Sequence, residues 1–435
     1  MRGQKSIKDT SRVSSKVQRV SDRRAMIAVK DLVGWTGRLR FEGRDVDITR
    51  IADAGLSVTL DNSAGYFRRV SPNTKIEVLG PLNKSFLTAS KPGIIYPGSR
   101  IGTDPEIFAL GNDDKLLPAF TFLPDKKHAV RGESSNGALT PNPGCPVYWD
   151  GFQAEFETNS THCMWWLSDS IRSGLKKVWD EARQKDPKAK LSRLSVVGVD
   201  EKALGEATDE QVQLGCAPSL NTYGLDGRKE NGRDLKYRFA GGHMHFGLVL
   251  HPEVTESIVK ALDAILGVAC VSLFAGIDNE LRRLYYGLPG EYRLPKHGLE
   301  YRTLSNAWLI HPILANLVFD LGRKAVCIGY WRLLNDFWDA EEAETVNIIL
   351  SCDVKGARAV LRRNLAAFTG LLSACYYQKA DTAVQCFLNG ADTFIKDMDD
   401  IVGNWQLNGT WLTHCDNQTR DFTHNANRIS TGLKC

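Results

Sequence analysis

The seven residues Gly241-Gly242-His243-Met244-His245-Phe246-Gly247, running into Leu248-Val249-Leu250, constrain the fold more than any other segment of this chain. A strand sends alternate side chains to opposite faces. Read as a strand, the segment places His243 and His245 on one face and Met244 and Phe246 on the other. It therefore needs a sheet with one side to bury and one side to present. Two imidazoles at that spacing can reach one metal ion or one phosphate group. The glycines before them let a ligand or a second backbone come close. Many His-x-His pairs are satisfied surface or core histidines, so this segment alone leaves zinc, phosphate and a purely structural pair all open.

Three further segments share the pattern. In Gly102-Thr103-Asp104-Pro105-Glu106-Ile107-Phe108, a strand directs Asp104 and Glu106 the same way, and Pro105 predicts an edge position or a local irregularity. The stretch Asp150 to Glu157 reads as one strand, with Gln153, Glu155 and Glu157 opposite Phe152, Ala154 and Phe156. Gly298-Leu299-Glu300-Tyr301-Arg302-Thr303-Leu304 sets Glu300 beside Arg302. Each pair taken singly reads as a solvated outer face. Gathered on one sheet, they would crowd carboxylates whose charges raise one another's pKa and lose hydration. Divalent cations remove that cost, and hard carboxylate oxygens with an imidazole suit Mg²⁺ or Mn²⁺ better than a closed zinc site. The run Glu280 to His297, rich in Gly and Pro, reads as a loop carrying Arg283, Arg293 and Lys296 toward that face, suited to clamping polyphosphate. Arg282 and Lys296 read equally well as solvated. No Gly-x-x-x-x-Gly-Lys-Ser/Thr loop is present, so a nucleotide would be held through metals.

Length and charge narrow the classes. At 435 residues the chain allows two or three folding units, and 43% hydrophobic with 24% charged residues is a soluble globular composition. Residues 1–25 hold eight basic and two acidic side chains, a net +6 in a chain of net +4, so the rest sums to −2. A nucleic-acid-binding body is not indicated. The basic tail reads as disordered, with a weak contact to nucleic acid or another acidic partner as its functional alternative. Ten cysteines without a Cys-x-x-Cys pair read as buried small hydrophobes in a reducing compartment. The longest apolar stretch, Ala261 to Gly276, contains Asp263 and is short for a bilayer span. A cytoplasmic protein with no membrane contact is expected.

Short β-rich runs at Arg38–Phe41, Val46–Ile48, Leu56–Leu60 and Lys75–Leu79 predict a small β domain over 26–95, ending in a linker at Ala89–Ser99. Helices are predicted from about Met164 to Lys185 and from near Thr255 to about Phe274. From His311 to about Gln406 the pattern is helical nearly throughout, and 407–435 reads as a polar surface tail.

Taken in order, Gly102-Thr-Asp-Pro-Glu106, Asp150-Gly-x-x-x-Glu155, Gly241-Gly-His-Met-His-Phe-Gly247 and Gly298-Leu-Glu-Tyr-Arg-Thr-Leu-Ser-Asn306 resemble the bacteriophage-encoded carboxylate–amine (COOH-NH2) ligases, type 2. That group lies within the glutamine synthetase and glutamate–cysteine ligase superfamily. The resemblance implies an α+β fold, with an antiparallel half-barrel-like sheet of the glutamine synthetase catalytic type over 96–310 and a helical part over 311–406. It implies Mg²⁺ or Mn²⁺ on Asp104, Glu106, Glu155, His243 and Glu300, with Asp150 and Glu157 less firmly matched. ATP contacts are implied for His243, His245, Arg283, Arg302, Gly241 and Gly242, and catalytic roles for Glu155, Arg293 and Arg302. The implied reaction joins an acid to an amine through an acyl phosphate, the partners being an amino acid, peptide or protein. One departure stands out: Ala217 follows Gly215-Cys216, where relatives often carry an acid. A phosphotransferase of the same superfamily, a metal-dependent hydrolase, and a non-catalytic phage structural or binding protein are the competing readings.

Overall fold

The computed structural model describes residues 25–32, 35–41, 43–48, 50–53, 58–61, 67–71, 73–79, 83–84 and 100–409 apart from 133–143, 162–163, 214–218, 249, 251 and 373–379. The basic tail before residue 25, the linker expected at Ala89–Ser99, Ala217 with its neighbours, and residues 410–435 lie outside the described residues. The chain divides into two compact units, residues 1–97 and 98–435.

In the first unit, alternation builds a β fold. Lys75 is exposed and Glu77 half-buried, while Ile76 and Val78 are buried. One sheet runs in the order Ala25–Ala28, Lys75–Val78, Trp35–Phe41, Arg44–Ile48, with Asn83–Lys84 also on Trp35–Phe41. Arg50–Asp53, Val58–Asp61 and Phe67–Val70 form a second, three-stranded sheet. Val29, Leu32, Leu39, Ile51, Leu60 and Ile76 are among the residues that close its core.

The second unit is built on two antiparallel sheets that share one chain segment. The first has the order Leu220–Asn221, Glu291–Arg293, Gly298–Tyr301, Met244–Gly247, Ile101–Thr103. The second runs Leu116–Leu117, Glu106–Leu110, Gln153–Phe156, Pro146–Asp150, Val130–Arg131, with Lys190–Ser192 also on Glu106–Leu110. Ile101–Thr103 passes through Asp104-Pro105 directly into Glu106–Leu110. Proline lacks the N–H that an unbroken ladder needs, so the strand breaks there and changes sheets. Backbone bonds from Thr158 to Thr103 and from Glu106 to Gly241 hold the seam. The result is a curved half-barrel, with apolar residues such as Met244, Phe246, Ile107 and Ala154 buried behind it.

Helices cover that apolar side. Met164–Lys185 forms as expected. The apolar run becomes Pro252–Ala261, a π-helical turn Leu262–Gly267 and Val268–Leu273, beginning three residues before the expected Thr255. Proline at the first helical position is tolerated because its missing N–H would have had no intrahelical partner. The Pro252–Ala261 helix packs against Pro312–Tyr330, whose N-cap is His311. The helical pattern continues to Ile401–Asn404. The surface tail expected from 407 needs correction at its start. Leu407 is 1% exposed, and Arg172 donates to the carbonyls of Trp405, Gln406 and Gly409, so the packed chain reaches at least that far. Among the described residues no helix is long and apolar enough to cross a membrane. Cys145, Cys270, Cys327 and Cys386 are buried.

Candidate active site

The histidine strand pairs with Gly298–Tyr301 on one side and Ile101–Thr103 on the other, with His245 opposite both Glu300 and Gly102. Residues facing one way on neighbouring strands therefore meet. His245 Nε2 lies 2.8 Å from Asp104 Oδ1, and its Nδ1 lies 2.9 Å from His297 Nε2. His243 Nδ1 is 3.5 Å from Asp104 and 3.6 Å from Glu300, while its Nε2 is 2.5 Å from the Tyr286 hydroxyl. Arg302 bonds Glu300 and lies 3.8 Å from Glu291, and Arg293 Nη1 is 3.6 Å from Glu300.

Across the seam sits a second cluster. Glu106 faces Glu155 in the ladder, and Tyr148 is opposite Glu155 on the next strand. The Tyr148 hydroxyl lies 2.7 Å from Glu155 and 2.8 Å from Glu157, which also takes Lys126 Nζ at 2.5 Å. Gly241 N–H donates to Glu106 at 2.5 Å.

Asp150 to Glu157 is not one strand, as the alternation suggested. It is a hairpin: Asp150 pairs with Gln153 across a turn at Gly151-Phe152, with Gly151 at φ +64°. Asp-Gly is itself a turn signal, and the positive φ suits glycine. Folding back brings Asp150 and Tyr148 to the face that Glu155 occupies. Tyr148, Tyr286, His297 and Lys126 were absent from the sequence-derived set. Only Tyr148 carried a usable signal, through that Asp-Gly turn.

Two donor sets result. Asp104, His245 and Glu300 offer one ligand atom each within 4.8 Å of one another, and so do Glu106, Asp150 and Glu155. Their electrostatics differ. Burial pushes Asp104 up, but His245 and His243 outweigh it and hold the carboxyl well below the usual range. Burial pulls His245 down, yet Asp104 raises it overall, while burial and Arg302 lower His243. In the other set burial, then the Asp150 charge, pushes Glu106 up to about 8. Burial, followed by Asp104, Asp150 and Glu106, lifts Glu155 well above its ordinary value. Asp150 Oδ2 is buried without a hydrogen-bond partner among the described residues. Crowded hard oxygens with one orphaned acceptor fit a divalent cation of the Mg²⁺ or Mn²⁺ type.

Residues 280–297 are not a continuous loop but a short helix, Glu280–Tyr285, followed by the strand Glu291–Arg293. The helix turns Arg283 inward, where it is 4% exposed and bonds Asp278 and the carbonyls of Gly287 and Thr303. It does not reach the acidic face. Arg282, expected to be solvated, is fully buried and donates to the carbonyls of Ala240, Thr303 and Leu304. Gly242 meets its own chain, not a ligand: a Cβ there would lie 2.3 Å from Ser305 O and Trp308 Nε1. Gly241 likewise spends its N–H on Glu106. Asp104, Glu106, Glu155, His243, His245, Glu300, Arg293 and Arg302 do converge on one face.

A cleft of about 310 Å³ opens beside the second set, lined by Glu106, Gln153, Arg302, Tyr286 and the stacked Phe239–Tyr285 pair at 5.3 Å.

Residues 232–407 match the family described as phage phiEco32-like COOH.NH2 ligase-type 2. The resemblance drawn from the four motifs holds over that segment, which contains the histidine and Glu300 strands. No curated protein matches the chain. Among solved structures, a bifunctional glutathione synthetase from Pasteurella multocida is similar at 12% identity and a TM-score of 0.32. The match covers 68% of this chain and 56% of that one, and it is too distant to carry an argument.

Proposed function

We propose that the protein is an ATP-dependent carboxylate–amine ligase. The observation that carries this reading is the convergence of two oxygen-rich donor sets and two arginines, from four segments far apart in sequence, on one concave face. The acid's carboxylate would take the γ-phosphoryl group of ATP, and the amine would then displace phosphate from the acyl phosphate to leave an amide.

Bound Mg²⁺ or Mn²⁺ would neutralise the carboxylates and polarise phosphate oxygens. Asp104, His245 and Glu300, with His243 beside them, would hold one ion, and Glu106, Asp150 and Glu155 another. Arg293 keeps two buried guanidinium nitrogens, Nε and Nη2, without partners among the described residues. An anionic oxygen satisfies such donors, so Arg293 is the group suited to charge developing on the transferring phosphoryl. Arg302, stacked at 5.5 Å over the Tyr286 ring, lies between Glu300 and the cleft. It would orient the acid's carboxylate. Tyr148 holds Glu155 and Glu157 in place from the neighbouring strand.

Incubation with ATP, Mg²⁺, candidate acids and hydroxylamine tests the reading, with hydroxamate and ADP as products. Hydroxamate that disappears in Glu155→Gln and Glu300→Gln supports it. ATP-independent amide hydrolysis, or ADP release that no acid stimulates, would overturn it.

A further inference from the structure

Asp263 interrupts the longest apolar run of the chain and is fully buried within the π-helical turn Leu262–Gly267. A carboxylate there is costly unless its oxygens are satisfied. Three donors satisfy it. The Tyr301 hydroxyl lies 2.6 Å from Oδ1, and the Thr303 hydroxyl, which gives its one proton to the Leu288 carbonyl at 2.9 Å, sits 3.2 Å from the same oxygen. The Gly290 backbone N–H donates to Oδ2 at 2.6 Å, and the Tyr223 hydroxyl bonds the same carboxylate.

These groups are placed with respect to the site. Tyr301 and Thr303 flank Arg302, so alternation sends them to the core side while Glu300 and Arg302 face the acidic surface. Gly290 immediately precedes Glu291, whose carbonyl accepts from Arg302 N–H at 3.0 Å and whose carboxylate lies 3.8 Å from Arg302 Nε. One carboxylate thus ties down, from behind, both strands that carry Arg293, Glu300 and Arg302. An apolar side chain would fill the same space without directional bonds. A π turn interrupts the regular hydrogen bonding of a helix, and such turns are frequent at functional sites.

We infer that Asp263 is a positioning residue, setting from the core side the placement of Arg302 and of the Glu291–Tyr301 hairpin against the carboxylate face. The inference rests on the ligase reading for its catalytic consequence, but the placement itself can be tested separately. Asp263→Asn keeps the size and removes the charge. Misplacement by about 1 Å can cost roughly a hundredfold in rate, so kcat for hydroxamate formation should fall by about that factor while KM for ATP changes less than about threefold. Tyr301→Phe keeps the ring and removes the donor at 2.6 Å, and should lower kcat by about fivefold, which covers the case in which Asp263→Asn does not fold. Asp263→Glu restores the charge on a longer arm and should not restore the rate.

Full activity per folded molecule in Asp263→Asn, or full rescue by Asp263→Glu, overturns the inference. A crystal structure supplies the readout that does not depend on activity. In Asp263→Asn, or in Tyr301→Phe if the first variant is unfolded, Arg302 should leave its wild-type contacts with Glu300 and Glu291. If those contacts are unchanged the inference fails, whatever the rate. If the wild-type protein makes no hydroxamate, the ligase reading fails, and the crystal structure still decides the placement.

Discussion

The two donor sets face the same concavity and carry their charge differently. Asp104, His245 and Glu300 sit among His243, Arg293 and Arg302, so the protein supplies their counter-charge, and Asp104 is held low. Glu106, Asp150 and Glu155 receive mainly neutral donors, from Tyr148 and Gly241, and Glu106 and Glu155 are pushed up. The first set meets cationic partners within the protein. The second carries crowded carboxylates that a proton or a bound cation would neutralise. A fold tolerates such a cluster only where burial is offset by function.

The largest effect that would test this contrast is chemical. Glu155→Gln and Glu300→Gln should each lower hydroxamate formation at least a thousandfold, about 4 kcal/mol of transition-state stabilisation. Their apo stabilities should diverge. Glu155→Gln relieves crowding and should raise the apo Tm while abolishing its rise with Mn²⁺. Glu300→Gln breaks pairs with Arg302 and Arg293 and should lower it. Equal apo Tm changes in the two variants, measured by scanning calorimetry, would erase the distinction.

Next come the arginines. Arg283→Met breaks a buried pair with Asp278 and should cost about 3 kcal/mol of stability with kcat unchanged. Arg293→Met should cost less than about 1 kcal/mol in urea unfolding, through its longer pair with Glu300, and lower kcat about thirtyfold, roughly 2 kcal/mol. The opposite pattern would restore Arg283 to the site and remove Arg293 from it.

His311 is the reference for a buried group moved by burial alone, which lowers it to about 3. Because the folded pKa lies below the unfolded one, the unfolded chain gains a proton first, and stability falls as pH drops below about 6.5 toward 3. Between pH 7 and 5 the loss should be about 2 kcal/mol. His311→Asn keeps an acceptor for Ile313 N–H and should remove that part of the pH slope in urea titrations. Identical slopes in the two proteins would refute the assignment. The smallest effect is that of Tyr148→Phe, which should cost about 1 kcal/mol of apo stability, a difference that Mn²⁺ removes if the ion takes over the Glu155 oxygens.

Much of the face was legible because strand periodicity depends only on neighbours in sequence. His243 with His245, Asp104 with Glu106, and Glu300 with Arg302 each follow from a two-residue spacing. The hairpin at Gly151 was missed because the alternation from Phe152 to Glu157 is unbroken and hid the Asp-Gly turn before it. Arg282 and Arg283 were misread because a run rich in Gly and Pro around a six-residue helix resembles a loop. Their burial depends on backbone carbonyls of Ala240, Gly287, Thr303 and Leu304, which offer no side-chain signal. Lys126 reaches the site from a distant segment and nothing local marks it, whereas His297, just before the Glu300 strand, was passed over as the end of a loop.

The sequence by itself determined which side chains share a face of each strand, since that is set by backbone geometry within a few residues. Only the tertiary structure decided which faces meet, which carboxylates find a cation within the protein and which do not. Pairing between segments up to about two hundred residues apart depends on register and burial, and those are properties of the whole packed unit. Asp263 shows the division most clearly: its presence in an apolar run is plain in the sequence, and what it holds is visible only once Tyr223, Gly290, Tyr301 and Thr303 are gathered around it.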